Sequence, residues 1–246
     1  MPVFRLNDEL IFPHPSYADP GGLLAVGGDL SPGRLLLAYA QGIFPWYSDV
    51  NPILWWSPDP RLVLFPDELK VSKSLKRVIN KKIFSVTIDR AFPEVIRACA
   101  EVRTETGQET WINEDMIAAY LRLYRLGYAH SVECWYSGSL AGGLYGVAMG
   151  KAFFGESMFM RKTDASKVAL VHLVDVAREA GLEFIDCQTT TSHLMSLGAR
   201  EIPRKEFLAL LGKALEGDWS KEIAKNEGNG LEGKPERFSP QHRGRP

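Results

Sequence analysis

Residues 129–188 read AHSVECWYSGSLAGGLYGVAMGKAFFGESMFMRKTDASKVALVHLVDVAREAGLEFIDCQ, and the order of elements in this stretch decides the fold. Ala129–Tyr136 and Ser139–Met149 read as two strands joined at Ser137-Gly138, a hairpin-compatible turn. A third strand follows near residues 151–155. Leu170, Leu173, Val174 and Ala177 then recur at helical spacing, which predicts a helix from Ala165 to Ala180. Gly181 breaks it before a strand at Phe184-Ile185-Asp186-Cys187. Hairpin-linked strands followed by a helix crossing over to a later strand predict a mixed sheet and an α+β class, not an all-parallel sheet.

Working outward, Ser72 caps a helix over residues 73–80, and Phe84–Ile88 alternates like a strand. Asp89 is expected to open a helix through Cys99, with Pro93 in its first turn. Asn113 caps another, carrying Ile117, Tyr120, Leu121 and Tyr124 on one face and ending at Gly127. The first sixty-odd residues differ. Phe12-Pro13-His14-Pro15, Asp19-Pro20-Gly21-Gly22 and Ser57-Pro58-Asp59-Pro60 are turn chemistry, around one helix that Ser31 caps, Pro32 starts and Gly42 stops. The expected organisation is a small loop-rich N-terminal domain over residues 1–66, a larger domain over 67–220, and a disordered tail over 221–246. The tail is rich in Gly and Pro and poor in large apolar residues.

Composition narrows the function classes. Among 246 residues, 29 Lys and Arg stand against 30 Asp and Glu, a formal charge of −1. That excludes a uniformly basic nucleic-acid coat and leaves room for a local basic face. No apolar run reaches the roughly 18 residues of a membrane helix, and Met1–Leu10 carries Arg5, Asp8 and Glu9 where a secretory signal is apolar. Cys99, Cys134 and Cys187 form no CxxC pair, as in a reduced cytosolic protein. Gly228-x-Gly230-x-x-Gly233 matches a dinucleotide fingerprint in letters only, since it neither follows a strand nor opens a helix. The five histidines are scattered and read as structural or surface groups, His193 least clearly so. Cys187 beside Asp186 reads as a buried strand thiol, because an adjacent carboxylate disfavours the thiolate.

Three signals remain. Trp46, Trp55 and Trp56 lie within eleven residues of turn-rich chain, and Trp111 just precedes a helix cap. Such indoles either close a small core or form a platform for a nucleobase. Between Lys70 and Lys82 there are six basic residues and no acid, and Lys73, Lys76, Arg77 and Lys81 share one helical face. That face is either simply solvated or contacts phosphate. Finally, Glu156 sits among Phe153, Phe154, Met158 and Phe159, while Asp186 and Gln188 stand two apart on one face of a strand. Either the two acids are strand-end groups facing water, or Asp186 bonds to Gln188 with Glu156 nearby. Burying carboxylates in such company is costly unless they are paired or employed, so Asp186, Gln188 and Glu156 are the catalytic candidates.

These residues carry a family resemblance. The runs Gly22–Pro32, Gly42–Trp46, Leu54–Arg61, Gly155–Phe159 and Asp186–Gln188 resemble the bacterial leucyl/phenylalanyl-tRNA–protein transferases. So do Glu133, Ala141–Gly146, and His193 with Ser196–Ala199, and the resemblance runs from about Phe12 to Phe207. It implies a cytoplasmic aminoacyltransferase that moves Leu or Phe, and less readily Met, from aminoacyl-tRNA to proteins beginning with Arg or Lys, marking them for degradation. It implies a GNAT-like acyltransferase domain with no metal or cofactor. CoA is not expected, as no stretch fits the [RQ]xxGx[GA] loop that cradles its pyrophosphate.

By the same resemblance, Gln188 held by Asp186 orients or helps deprotonate the attacking amine, and Glu156 binds a cationic group. Trp46 and Trp111 position the terminal adenosine. Leu144, Phe153, Met158, Leu173 and Ile185 take the Leu or Phe side chain, and Lys73, Lys76, Arg77 and Lys81 hold tRNA phosphates. Phe238-Ser239-Pro240, a string with which the family usually ends, follows a stretch that looks inserted and is expected either to dock on the body or to be dispensable. Two rival readings are another tRNA-dependent peptide-bond former and a non-catalytic RNA-binding module.

Overall fold

The computed structural model describes residues 3–105 and 110–215. The expected tail over 221–246, Phe238 included, lies outside them. The first half of the chain runs β1 (Phe4–Leu6), β2 (Leu23–Gly27), α1 (Pro32–Ala40), β3 (Phe44–Pro45), β4 (Leu54–Trp56), β5 (Arg61–Leu64), α2 (Lys73–Asn80), β6 (Ser85–Ile88) and α3 (Phe92–Glu105). The second runs α4 (Glu114–Arg125), β7 (Ala129–Tyr136), β8 (Ser139–Met149), β9 (Ala152–Met160), α5 (Ala165–Ala180), β10 (Phe184–Gln188), α6 (Ser192–Ser196), β11 (Arg200–Ile202) and α7 (Arg204–Ala214). The class is α+β.

Seven strands form the larger sheet in the order β11-β5-β10-β9-β8-β7-β6. Only β9 and β10 pair in parallel; every other neighbour is antiparallel. The parallel pair is the one that α5 links, as a crossover requires. The sheet is covered on both faces. Leu62, Leu64, Phe153 and Ile185 pack toward α5 and Leu75 of α2. Val63, Phe154 and Phe184 point the other way, into a core with α1, α3, α4 and Phe207 of α7. Alternate residues thus serve opposite cores.

Local signals placed the helices. Ser31 Oγ accepts from the Arg34 amide, Ser72 Oγ from Leu75 and Asn113 Oδ1 from Met116, and Gly181 closes α5 in the left-handed region at φ 71°. α3 departs from expectation, running from Phe92 to Glu105 rather than from Asp89 to Cys99. Asp89 is left-handed (φ 55°), and its carboxylate accepts from the Ser131 amide at 2.8 Å, holding β7 instead of capping the helix. The carboxylate that meets the helix start is Glu133, which accepts from the Ala91 amide.

The N-terminal region also holds more sheet than turn chemistry predicts. β1, β2, β4 and β3 form a four-stranded sheet, with β1 and β2 parallel. These strands are two to five residues long, too short for periodicity to register. β5, which the sequence assigns to the small unit, pairs with β10 and β11 in the large sheet.

Backbone clearance gives a stability test. A Cβ on Gly146 would come within 2.2 Å of the Phe154 carbonyl oxygen and 2.5 Å of the Phe153 ring, whereas one on Gly212 in α7 meets nothing within 4 Å. In urea unfolding, Gly146→Ala is expected to lose about 1–3 kcal/mol. Gly212→Ala is expected to gain up to about 1 kcal/mol.

Candidate active site

Strand separation opens the site. β9 and β10 pair from Phe184↔Ala152 to Asp186↔Phe154 and then part. A cavity of about 490 Å³ fills the mouth between Gly155–Met158 on one side and Cys187–Thr189 on the other. Two bulges aim its polar groups. On β9 the register passes from Tyr145↔Ser157 to Gly146↔Gly155, leaving Glu156 as the extra residue. On β10 it passes from Asp186↔Val63 to Gln188↔Leu62, leaving Cys187 extra, and Gln188 adopts φ 62°. Such bulges turn a side chain out of the regular alternation.

All seven residues expected to contact the aminoacyl-adenosine line this cavity. Leu144, Phe153, Met158, Leu173 and Ile185 form an apolar wall with Leu170. Trp46 and Trp111 stand at the other side in an edge-to-face pair, ring centroids 5.9 Å apart. Trp46 is 41% exposed. Trp56 tilts onto it and donates from Nε1 to its carbonyl at 2.7 Å. Trp55 takes the core alternative: it is fully buried and donates to the Gly27 carbonyl. His193 and Leu194 line the cavity too, and burial, with the Lys167 charge, lowers the His193 pKa.

The polar end is built from Glu156. Its Oε1 accepts from Gln188 Nε2 at 2.7 Å and lies 2.8 Å from the Tyr39 hydroxyl, and its Oε2 lies 2.8 Å from the Tyr120 hydroxyl. The two hydroxyls also touch each other. Burial pushes the Glu156 pKa up to about 7, against the lowering that these three partners would give as donors to a carboxylate.

The bulge at Cys187 takes Asp186 and Gln188 off the shared strand face: Asp186 is fully buried and does not line the cavity, whereas Gln188 does. The expected hydrogen bond between the two is made through the main chain, Asp186 Oδ1 accepting from the Gln188 N–H at 2.9 Å. Arg61 clamps both Asp186 oxygens, Nε to Oδ1 at 2.8 Å and Nη2 to Oδ2 at 2.6 Å. The guanidinium lies between the Phe44 and Phe207 rings, 4.7 and 4.6 Å from their centroids, and gives Nη1 to the Gly42 carbonyl. Arg61 is the partner that sequence reasoning missed; the signal was an arginine just before the buried run Leu62-Val63-Leu64. Cys187, expected as a buried strand thiol, is half-buried because the bulge brings it to the cavity lining; desolvation and the neighbouring Asp186 raise its pKa, so the thiolate is disfavoured.

Lys73, Lys76, Arg77 and Lys81 are all exposed, and among the described residues none forms an ion pair. Leu75 anchors their helix. The segment leading into it is pinned beside the cavity wall, because the Lys70 amide donates to the Leu197 carbonyl just after α6.

A family model described as leucyl/phenylalanyl-tRNA protein transferase matches residues 63–212, and the model of that protein's N-terminal domain matches residues 28–59. The chain belongs to this family of aminoacyltransferases. A relative from Syntrophobacter fumaroxidans, named leucyl/phenylalanyl-tRNA–protein transferase, is 69% identical over 214 residues, covering 87% of this chain and 91% of its own. One of the same name from Anaeromyxobacter dehalogenans is 57% identical over 230 residues, covering 91% and 98%. Among solved structures the chain is similar to an aminoglycoside acetyltransferase from a soil metagenome, at TM-score 0.36 and 10% identity over 47% of this chain and 84% of the other. No helix among the described residues is long and apolar enough to cross a membrane.

Two outcomes follow from the buried charges. The Glu156 pKa rises on folding, from 4.5 to about 7, so the stability it contributes is full below pH 4.5 and is lost as pH rises through 7. In urea unfolding, Glu156→Gln is expected to gain about 3 kcal/mol on wild type between pH 4 and pH 8. Arg61→Met, which leaves the Asp186 charge buried alone, is expected to cost about 3–5 kcal/mol at pH 7. Adding Asp186→Leu should recover part of that loss.

Proposed function

We propose that the chain transfers Leu or Phe from aminoacyl-tRNA to the N-terminal amino group of proteins beginning with Arg or Lys, in the cytoplasm, marking them for degradation. The observation that carries this reading is one cavity with an apolar wall, a tryptophan pair and a buried carboxamide–carboxyl pair. A volume of about 490 Å³ accommodates an aliphatic or aromatic side chain together with part of an adenosine. Leu144, Phe153, Met158, Leu173 and Ile185 receive the side chain. Trp46 and Trp111 offer ring faces to the terminal base, with stacking typically worth about 1–3 kcal/mol. Lys73, Lys76, Arg77 and Lys81 meet backbone phosphates without reading sequence.

The chemistry asks little of the protein. The donor is an ester, and an α-amino group with a pKa near ~8 is already partly neutral in the cell. Holding amine and ester together supplies roughly 7–11 kcal/mol of the barrier. Gln188 gives its amide N–H to Glu156, which leaves its carbonyl oxygen free to accept from the attacking amine and align it. A carboxamide is no base, so Gln188 orients and does not deprotonate. Asp186 is a positioning residue that fixes the Gln188 main chain with Arg61 behind it, and Glu156 meets the α-ammonium of the ester.

The decisive assay mixes the protein, Leu-tRNA labelled on the amino acid, and a protein with N-terminal Arg. Label is expected to move to the acceptor, and retention of all label on tRNA, with tRNA still bound, overturns the reading. Gln188→Ala should lower the transfer rate by about tenfold or more while leaving tRNA affinity within about twofold. Replacing the four basic residues of the α2 face by Gln should weaken tRNA binding and flatten its salt dependence.

A further inference from the structure

Behind the cavity lining, the oxygens around Glu156 make more contacts than there are hydrogens to fill them. Glu156 Oε1, the Tyr39 hydroxyl, the Tyr120 hydroxyl and Glu156 Oε2 make three contacts in a triangle: Tyr39 to Oε1, Tyr120 to Oε2, and hydroxyl to hydroxyl. Each needs one hydrogen between its two oxygens. A phenol supplies one and an ionised carboxylate none. Gln188 Nε2 is committed to Oε1 and contributes nothing to the triangle. With Glu156 ionised, the site is therefore one hydrogen short, and two sets of lone pairs face each other in buried surroundings. A hydrogen on Oε2 closes the ring. Oε2–H then donates to Tyr120, Tyr120 to Tyr39, and Tyr39 to Oε1, whose other lone pair serves Gln188.

We propose that Glu156 carries a proton in the ligand-free protein, held by the Tyr39–Tyr120 ring, and that the ammonium group of the aminoacyl ester displaces this proton to solvent on binding. The ring stands on geometry alone; the identity of the displacing group rests on the reading under "Proposed function". The step balances. Neutral acid and ammonium give a carboxylate–ammonium pair and one free proton, and no bond of the ester changes.

The surroundings agree. Tyr39 faces Glu156 from α1, Tyr120 from α4, and Gln188 from β10; Tyr145 of β8 packs edge-to-face on Tyr120. Asp186 and Cys187, also on β10, bring no positive charge, and Arg61 of β5 is spent on Asp186. Both phenols are raised well above their ordinary pKa by burial, so each keeps its hydrogen. Burial, with the Asp186 charge, raises the Glu156 carboxyl independently of the ring; acting as plain donors to a carboxylate the two tyrosines would lower it, and the titration below separates that case from the ring. The consequence is selectivity for a free α-amine. Below about pH 7 a charge appears at Glu156 only when its counterion arrives, and an N-blocked ester meets an uncharged acid.

Glu156 can be titrated in the intact protein by the 13C signal of its carboxyl carbon, assigned as the one missing from Glu156→Gln. If the tyrosines were plain donors to a carboxylate, Tyr39→Phe or Tyr120→Phe would raise the midpoint. In the ring, removing either hydroxyl leaves one contact and one hydrogen, which suits the carboxylate. The midpoint is expected to fall by about one pH unit in each variant, and a rise or no change overturns the proposal. Calorimetry at pH 6 in buffers of different protonation enthalpy tests the displacement, with an adenosine carrying leucine in amide linkage at its 3′ position as the probe. About one proton should be released per molecule bound, and none with the analogue lacking the amino group. Binding of the amine without proton release overturns the proposal. Failure of both compounds to bind counts against the ligand reading instead, and the titration still judges the ring.

Discussion

The buried pair of Arg61 and Asp186 is the contact on which the arrangement of the site depends. It joins the start of β5 to β10, and through Arg61 it reaches the Gly42 carbonyl after α1 and the rings of Phe44 and Phe207. Both side chains are essentially out of water. Taking two charges into such a place is expensive, and their attraction repays it only with good geometry and satisfied hydrogen bonds. Here the fork is bidentate, Nη1 has an acceptor, and two aromatic faces cover the cation. Four segments far apart in sequence are thereby held at one point, and that point lies directly behind Gln188.

The cavity follows from where this clamp sits. β10 is fixed on β5 through Asp186, so it cannot follow β9 once the two strands twist apart beyond Phe154. A gap between parallel neighbours would expose unpaired backbone. The bulges at Glu156 and Cys187 convert part of that gap into side-chain positions, and Gln188 accepts a left-handed backbone to point inward. For a non-glycine residue that conformation has a cost, and it persists because the Asp186 carboxylate holds the Gln188 amide. Clamp, splayed strands and strained glutamine are one construction.

The sequence made this partly legible. The helices capped by Ser31, Ser72 and Asn113, the hairpin at Ser137-Gly138 and the crossover through α5 follow local rules, and local rules are readable. So was the polar cluster, since carboxylates amid phenylalanines are conspicuous. What was not legible depends on contacts between distant segments. Nothing near Asp186 announces that Arg61, 125 residues earlier, will take both its oxygens. Tyr39 and Tyr120 appear in sequence as ordinary members of apolar helix faces, and their hydroxyls gain meaning only when α1 and α4 bring them to one carboxyl. The short strands of the small sheet escaped because two to five residues show no period. Asp89 misled because a cap-forming residue type was spent on β7.

Among the described residues three carboxyls are buried in the sheet, and their neighbours offer them different sets of hydrogens. Asp186 faces a guanidinium that donates to both its oxygens. Glu133 accepts from the Ser131 and Thr87 hydroxyls and the Ala91 amide. Thr87 in turn accepts from the Trp135 indole, so its own hydrogen is free for Glu133 and every contact has a donor while the carboxyl is ionised. Glu156 also has two hydroxyls beside it, but these hydroxyls contact each other, and that one extra contact changes the count. Burial alone does not distinguish Glu133 from Glu156, since both are nearly out of water. The distinction lies in whether the donors around a carboxyl are independent or linked, which makes protonation at this site a property of the α1–α4 packing as much as of the glutamate itself.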